Sequence, residues 1–586
     1  MSPGRGSGGL ITPPACARGC AVRRPAARRA VPRVAAYLAA GPTAATADTL
    51  AAFKRLQNGS DIRGVGLKAD PSHVVTLTPA AAYFIGRAFV RFLRGRAAPS
   101  DGAARMRVCV GSDPRLSGPL LRAALLTGLA DEGAEVEDAG LSTTPAMFYS
   151  IIAPGSRVTG AVMMTASHMP LQNNGLKFFT AGGGLEKRDI ASIVDAAGAM
   201  CADEGVVLND PTSDTAFVLN RAIALPAIGT KVPLLEAYSS HLRSLIIEGV
   251  AHADHPNKPL EGLHIVVDAG NGSGGFFADQ VLAPLGADVS GSQFLEPDGS
   301  FPNHIPNPEN ADAMAAAVEA VKKSGADLGI IFDTDVDRSG IVDSMGNPIN
   351  SNRFIALMAA ITLRDHPGTT IVTDSVTSNG LTSFIEGLGG QHCRFKRGYR
   401  NVINKGIELN EAGVDCELMM ETSGHGALRE NRYLDDGAYM AVKAVIELVR
   451  LRMSGCDITN GGCDLTALLR ELREPAEAGE YRIKIKDADF KPVGAAVLEG
   501  FKAWLDKGAG GESAWSLDPV NHEGWRVSVD EGAGARGWAL LRASLHDPLL
   551  VLNVESDVPG GVAKIRGHLL ESFLSRHKDA LDLSAL

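Results

Sequence analysis

The sequence predicts an α/β protein of three related α/β domains followed by a smaller α+β domain. Two observations carry this expectation. The 586 residues exceed what one hydrophobic core supports, so the chain divides into several domains. Three segments spaced through it also share one order: apolar strand, short polar loop, amphipathic helix, glycine, second strand. They are RVCVGSDPRLSGPLLRAALLTGLADEGAEVEDAG from Arg107, LHIVVDAGNGSGGFFADQVLAPLGADVSG from Leu263 and TTIVTDSVTSNGLTSFIEGLGGQHCRF from Thr369. Each helix has apolar residues at i, i+3, i+4 spacing and ends near a glycine, and such units build sheets with helices on their faces. After about residue 474 the pattern changes to a helix near Val493 to Leu505, strand-like WRVSVD and GWALLRAS, and a strand over Leu549 to Ser556. The predicted domains are 48–238, 239–349, 350–473 and 474–586.

The first 47 residues stand apart, with seven arginines, no lysine and no acid before Asp48. An Arg-rich, acid-free leader without a continuous apolar core reads as an organelle transit peptide; a disordered basic arm or a mispredicted start codon is the alternative. Without it, 50 basic residues face 67 acidic ones, a charge near −17 instead of −10, which argues against nucleic-acid binding. No run of about 18 apolar residues suggests a membrane span. Cys16 and Cys20 lie in the leader, and most of Cys109, Cys201, Cys393, Cys416, Cys456 and Cys463 read as core thiols of a reducing compartment; no CxxC pair offers a metal site. Cys456 and Cys463 flank a Gly/Asn-rich loop that a disulfide would close.

Four loops carry candidate chemistry. In VMMTASHMPLQNNGLKFF a strand ends in a loop bearing Ser167 and His168, with Lys177 beyond. A hydroxyl beside an imidazole and a lysine has a proton acceptor and a cation for phosphate; a turn in which Ser167 merely caps backbone amides is the alternative. In LGIIFDTDVDRSGIVD a buried strand runs into Asp333, Asp335, Asp337 and Arg338. Alternate residues of an extended segment face the same way at a spacing of roughly 6–7 Å, so three carboxylates converge and call for a hard cation, Mg²⁺ or Ca²⁺. An EF-hand is disfavoured, since its glycine and its bidentate glutamate would fall on Arg338 and Ser344. In MMETSGHGALRENRYLDDGAYM, Glu421, Ser423 and His425 suit sugar hydroxyls, while Asp435 and Asp436 read as the N-cap and first turn of the next helix. In LLRASLHDPLLVL, Arg542 and Ser544 at a strand end form a weak phosphate-grip signal.

Taken in order, these loops resemble the α-D-phosphohexomutase superfamily, in its bacterial-type phosphoglucomutase/phosphomannomutase branch, from about Gly59 to Ser556. TASHMP is similar to the phosphoserine loop, DTDVDR to the magnesium loop, ETSGH to the sugar loop and RASLHDP to the phosphate loop. SDIRG near Arg63, GSDPRLSG, DAGNGSG, PDGSFPNHIPNPEN and KRGYRN also match. The resemblance implies mixed sheets around a central cleft, a phosphate on Ser167, and Mg²⁺ held by Ser167, Asp333, Asp335 and Asp337. It further implies that Arg338 and Lys177 stabilise the transferring group and that His168, Arg63 and His425 complete the catalytic set. Glu421, Ser423, His425, Gly398, Tyr399, Arg542, Ser544 and His546 are the implied substrate contacts. The implied activity interconverts hexose 1- and 6-phosphates, glucose or mannose, through a hexose 1,6-bisphosphate. A non-catalytic sugar-phosphate sensor and a hexose-bisphosphate synthase are the alternatives. The expected partner is a small phosphosugar, with no nucleic acid or membrane, for a monomer or dimer in the plastid stroma or, alternatively, the cytoplasm. The chain departs from the family at Met169, usually Asn; at Thr334 and Val336, usually glycines; and at Leu545 and His546, where phosphate donors are usual.

Overall fold

A computed structural model describes residues 44–96, 105–208, 217, 229–454, 464–508, 515–544 and 547–586. Almost all of the predicted leader, the cysteines Cys456 and Cys463, and Leu545 and His546 lie outside the described residues.

Four sheets form, in chain order. The first runs Gln57–Asn58, Asp61–Val65, Asn173–Thr180, Gly160–Met164, Arg107–Ser112, Glu135–Leu141, Thr230–Lys231, with Gly183–Gly184 pairing off Asn173–Thr180. Its centre is parallel and its Asn173–Thr180 side antiparallel. The second orders Pro348–Ile349, Ser339–Asp343, Leu328–Phe332, Ile265–Asp268, and the third Gln391–Arg394, Thr370–Thr373, Cys416–Met420, Gly426–Leu428, Leu434–Asp435. Both are mixed in the same way, with parallel strands giving way to an antiparallel hairpin. The fourth, from Glu477–Ile485 to Leu581–Asp582, is wholly antiparallel. The fold class read from sequence is therefore the one observed.

Local chemistry explains most elements. Gly160–Met164 and Leu328–Phe332 are buried at every position, as strands covered on both faces must be. Thr143, Asn310, Ser378 and Asp436 cap their helices by accepting from a backbone N–H in the first turn. The C-terminal helix spans Phe490–Asp506.

The second predicted strand–helix–strand unit needs correction. Its helix is a short π-helical turn, Phe277–Leu282, followed by the 3₁₀ turn Ala283–Leu285, and only isolated bridges at Asp288 and Gln293 follow. Pro284 offers no N–H to continue the helical ladder. The preceding glycines are committed to close backbone contact, since a Cβ at Gly275 would lie 2.3 Å from the Leu295 carbonyl oxygen.

A continuous core joins Phe148 of the first domain, the helix Leu234–Val250, the second sheet and the third. The fourth domain has its own core around Ile483, Phe501 and Leu552. Among the described residues no helix is long and apolar enough to cross a membrane.

Candidate active site

In each α/β domain the candidate loop occupies the same topological place, the turn between a central strand and its antiparallel hairpin partner. Ser167 follows Gly160–Met164, Asp333–Asp337 follows Leu328–Phe332, and Glu421–His425 follows Cys416–Met420. Shared position brings the three loops to one cleft.

Ser167 is 3% exposed and sits at φ 51, a left-handed conformation rarely held by a residue with a side chain. Its Oγ donates to Asp333 Oδ2 at 3.1 Å, lies 3.3 Å from His168 Nδ1 and accepts from an Arg338 guanidinium N–H at 3.3 Å. The loop is strapped from below by Arg115, whose side chain is fully buried. That guanidinium pairs with Asp113 at 3.1 Å and donates to the carbonyls of Ser167, Met169, Pro170 and Asn173. Sequence reading quoted the Arg115 segment without a role for it; the one signal was its place just beyond a strand end.

Asp333, Asp335 and Asp337 are almost completely buried and each brings a carboxylate oxygen within 4.8 Å of the others. Lys177 closes one side, donating to Asp335 Oδ2 at 2.8 Å and to Asp337 Oδ2. Burial depresses the Lys177 ammonium, but Asp335 and Asp337 outweigh it and hold the group well above its usual range. Burial and the neighbouring Asp337 and Asp335 carboxylates push Asp333 well up. Burial would raise Asp337 too; Lys177 and Arg338 override it and lower that carboxyl. Asp335 Oδ1 and Asp337 Oδ1 are buried without hydrogen-bond partners. Three carboxylates with unspent oxygens fit a hard dication such as Mg²⁺. Thr144, a residue the sequence did not single out, ties the first domain to this loop through Oγ1 to Asp335 Oδ2 at 2.5 Å. Val336 adopts φ 66 and is fully buried.

Arg338 reaches across the cleft to Asn307 Oδ1 at 3.1 Å and Glu309 at 3.6 Å, both from the PNPEN segment. On the third loop, Ser423 Oγ is 2.8 Å from His425 Nδ1, and Tyr399 stacks on the His425 ring with centroids 5.3 Å apart. Gly398 N donates to Glu421 Oε1 at 2.6 Å. Burial and Asp374 raise Glu421 to about 8. Burial, then Arg338 and Lys177, hold His425 well below its usual value. His168, its outer edge open to the cleft, is lowered by burial and by Arg338 and Arg63. Arg63 pairs with Asp61 at 2.9 Å, which raises its guanidinium despite burial.

Asp436 is the helix cap expected, accepting from Tyr439 N. Asp435 is not part of that cap. It belongs to the strand Leu434–Asp435, accepts from Gly426 N at 3.0 Å and turns its other oxygen toward His425. Arg542 and Ser544 do not join the Ser167 cluster. Burial lowers the Arg542 guanidinium, whose charged surroundings are Glu523, Arg397, Glu480 and Asp374, and Ser544 Oγ accepts from Asp547 N. His546 lies outside the described residues. Cys109 and Cys416 are buried free thiols, Cys201 is a buried thiol that donates to the Val206 carbonyl, and Cys393 is partly buried, as expected of core cysteines.

Three family models match this architecture: phosphoglucomutase/phosphomannomutase alpha/beta/alpha domain I over residues 54–199, domain II over 236–346 and domain III over 350–461. A phosphomannomutase/phosphoglucomutase of Pseudomonas syringae pv. tomato is 31% identical over 493 residues, covering 84% of this chain and 90% of its own. A phosphoglucomutase of Neisseria gonorrhoeae is 30% identical over 509 residues, covering 86% and 94%. The crystal structure of a phosphoglucomutase/phosphomannomutase family protein from Burkholderia thailandensis superposes with a TM-score of 0.64 at 25% identity, covering 90% of this chain and 98% of that one. Three hairpin loops on one cleft, matched domain by domain over most of the chain, make it a member of the phosphoglucomutase/phosphomannomutase family of the α-D-phosphohexomutases.

Proposed function

We propose that the cleft interconverts hexose 1-phosphate and hexose 6-phosphate, glucose and/or mannose, through a phosphorylated Ser167 and a hexose 1,6-bisphosphate. The chain is a hexose phosphate mutase, an enzyme of the isomerase class. The observation that carries the mechanism is Ser167 Oγ at 3.1 Å from Asp333, within reach of Arg338 and His168.

A sugar hydroxyl attacks the phosphorus of phosphoserine, the bond from Ser167 Oγ to phosphorus breaks, and the sugar leaves as the bisphosphate. After reorientation its other phosphoryl group returns to Ser167. Phosphoryl transfer depends on positioning and on neutralising charge. Arg338 holds positive charge beside Ser167 and Lys177 beside the Asp335 and Asp337 carboxylates, and Arg63, paired with Asp61, adds to that potential. His425 accepts the proton of the attacking hydroxyl; His168 shares a proton with Ser167 Oγ. Glu421, Ser423, Gly398 and Tyr399 orient the sugar ring. Asp333, Asp335 and Asp337, with Ser167, would hold Mg²⁺, which when bound would neutralise phosphate charge and polarise its oxygens. The separate core of the fourth domain suits a body that closes on the sugar's second phosphate with Arg542, Ser544 and His546. The Arg-rich leader directs the chain to a plastid, where glucose phosphate is the favoured substrate; expression of residues 1–47 fused to a fluorescent protein tests the address.

The deciding assay gives the full chain Mg²⁺, catalytic hexose 1,6-bisphosphate and either glucose 1-phosphate or mannose 1-phosphate. Turnover that Ser167→Ala abolishes while the fold persists is the expected result. No turnover with either sugar, from a folded protein that binds Mg²⁺, overturns the reading in favour of a sugar-phosphate sensor.

A further inference from the structure

Beside the magnesium-loop carboxylates, the third sheet brings a second set of donors to the same wall of the cleft. His425 Nε2 lies 3.9 Å from Asp337 Oδ1 and 3.7 Å from Asp435 Oδ2. One donor atom from each residue lies within 4.8 Å of the others. Neither distance is a hydrogen bond. The opposite end of each side chain is already fixed: Asp337 Oδ2 by Lys177, Asp435 Oδ1 by Gly426 N, and His425 Nδ1 by Ser423 Oγ. Asp337 Oδ1 and Asp435 Oδ2 are buried and without a hydrogen-bond partner, in residues 1% and 5% exposed. Asp435 is delivered to this position by Arg432 and Tyr433, consecutive residues at φ 54 and 58, a backbone strain that persists only where the surroundings impose it.

Buried carboxylate oxygens need a cation or a donor. Lys177 and Arg338, the neighbouring cations, bond to Asp335, Asp333 and the far oxygen of Asp337, while Arg338 Nε stands 3.9 Å from Asp337 Oδ1, beyond hydrogen-bond range. We propose that Asp337 Oδ1, His425 Nε2 and Asp435 Oδ2 form a second dication site, selective for zinc over magnesium, that adjoins the magnesium set and shares Asp337 with it. One imidazole with two carboxylates is a zinc donor set, whereas magnesium favours oxygen alone. Bonds of about 2.0–2.1 Å set tetrahedral ligand atoms about 3.3 Å apart, so the two His425 separations close by about 0.6 and 0.4 Å and the two carboxylates, within 4.8 Å of each other, by at most about 1.5 Å. Ser423 holds the ring from behind at Nδ1, as outer-sphere partners of zinc-bound histidines do. A cavity of ≈ 30 Å³ bordered by Asp337, Asp435, Lys177 and Tyr399, though not by His425, has room for one water beside the two carboxylates. Zinc bound here removes His425 Nε2 from the sugar and inhibits turnover.

The site stands on ligand geometry and does not depend on the mutase reading, so it is tested by binding. The full chain, with Mg²⁺ in excess, is titrated with Co²⁺ while its visible absorption is followed, and Zn²⁺ is then added to displace the cobalt. One Co²⁺ per chain, displaced by one Zn²⁺, is expected. Asp435→Asn and His425→Gln should each weaken zinc by more than the roughly 10–100-fold typical of losing an outer-sphere partner, with Mg²⁺ affinity unchanged. Ser423→Ala should fall within that roughly 10–100-fold range. Absence of binding overturns the proposal. So does zinc binding that survives Asp435→Asn and His425→Gln but disappears in Asp333→Asn, because the ion then occupies the magnesium set. Thermal melting confirms the fold of each variant, and if Asp435→Asn does not fold, His425→Gln decides.

Discussion

Arg115→Lys isolates the strap beneath the phosphoserine loop while keeping its charge. The guanidinium makes five bonds, one to Asp113 and four to carbonyls of residues 167–173. A lysine ammonium has three donors. At least two acceptors therefore lose their partner, at about 1–3 kcal/mol each if buried, or about 2–6 kcal/mol together. The Pro170 and Asn173 carbonyls sit in partly open residues, which places the expectation in the lower half, about 2–4 kcal/mol. Because the Ser167 carbonyl is one acceptor, the loss also releases a residue held at φ 51. A displacement near 1 Å at a reacting atom costs about 10²-fold in rate, so kcat should fall by that order with a smaller change in KM. Urea denaturation and the coupled mutase assay measure the two effects. Wild-type kcat and stability within about 0.5 kcal/mol, the scatter of a neutral surface change, would refute the strap.

Three further outcomes follow from the same geometry. Mg²⁺ at about 100 times its Kd should add about 2.7 kcal/mol of stability and raise the melting temperature; chelation should reverse this, and Asp335→Asn should abolish the shift. Gly437→Ala should destabilise by about 1–3 kcal/mol and slow turnover, since its Cβ would lie 2.5 Å from the Arg338 carbonyl carbon; denaturation and kcat together check it. Glu421 is raised to about 8, so the folded chain holds a proton that the unfolded chain releases near its usual 4.5. Stability from this group is present below that lower value and is lost as pH rises through the window to about 8, and Glu421→Gln should flatten that slope in pH-dependent melts.

What the sequence determined by itself was whatever short-range pattern encodes. The all-apolar run Leu328–Phe332 ending in alternating aspartates predicted both a buried strand and a convergent carboxylate set, and both are present. Ser167, Lys177, Arg338 and His425 were legible because strand ends and hairpin turns are local features. Tertiary structure alone decided which of these residues meet and in what company. Ser167 touches Asp333 across 166 residues, and Lys177 reaches Asp337 across 160. Those contacts arise from packing three domains on one core, a long-range event that no local period records. The same limit explains Asp435, whose DDG context reads as a helix cap, and Arg115, whose role exists only because a loop more than 50 residues away lies over it. It explains the π-helical turn at Phe277–Leu282 as well. There a helical period yielded to Pro284 and to glycines already pressed against Leu295.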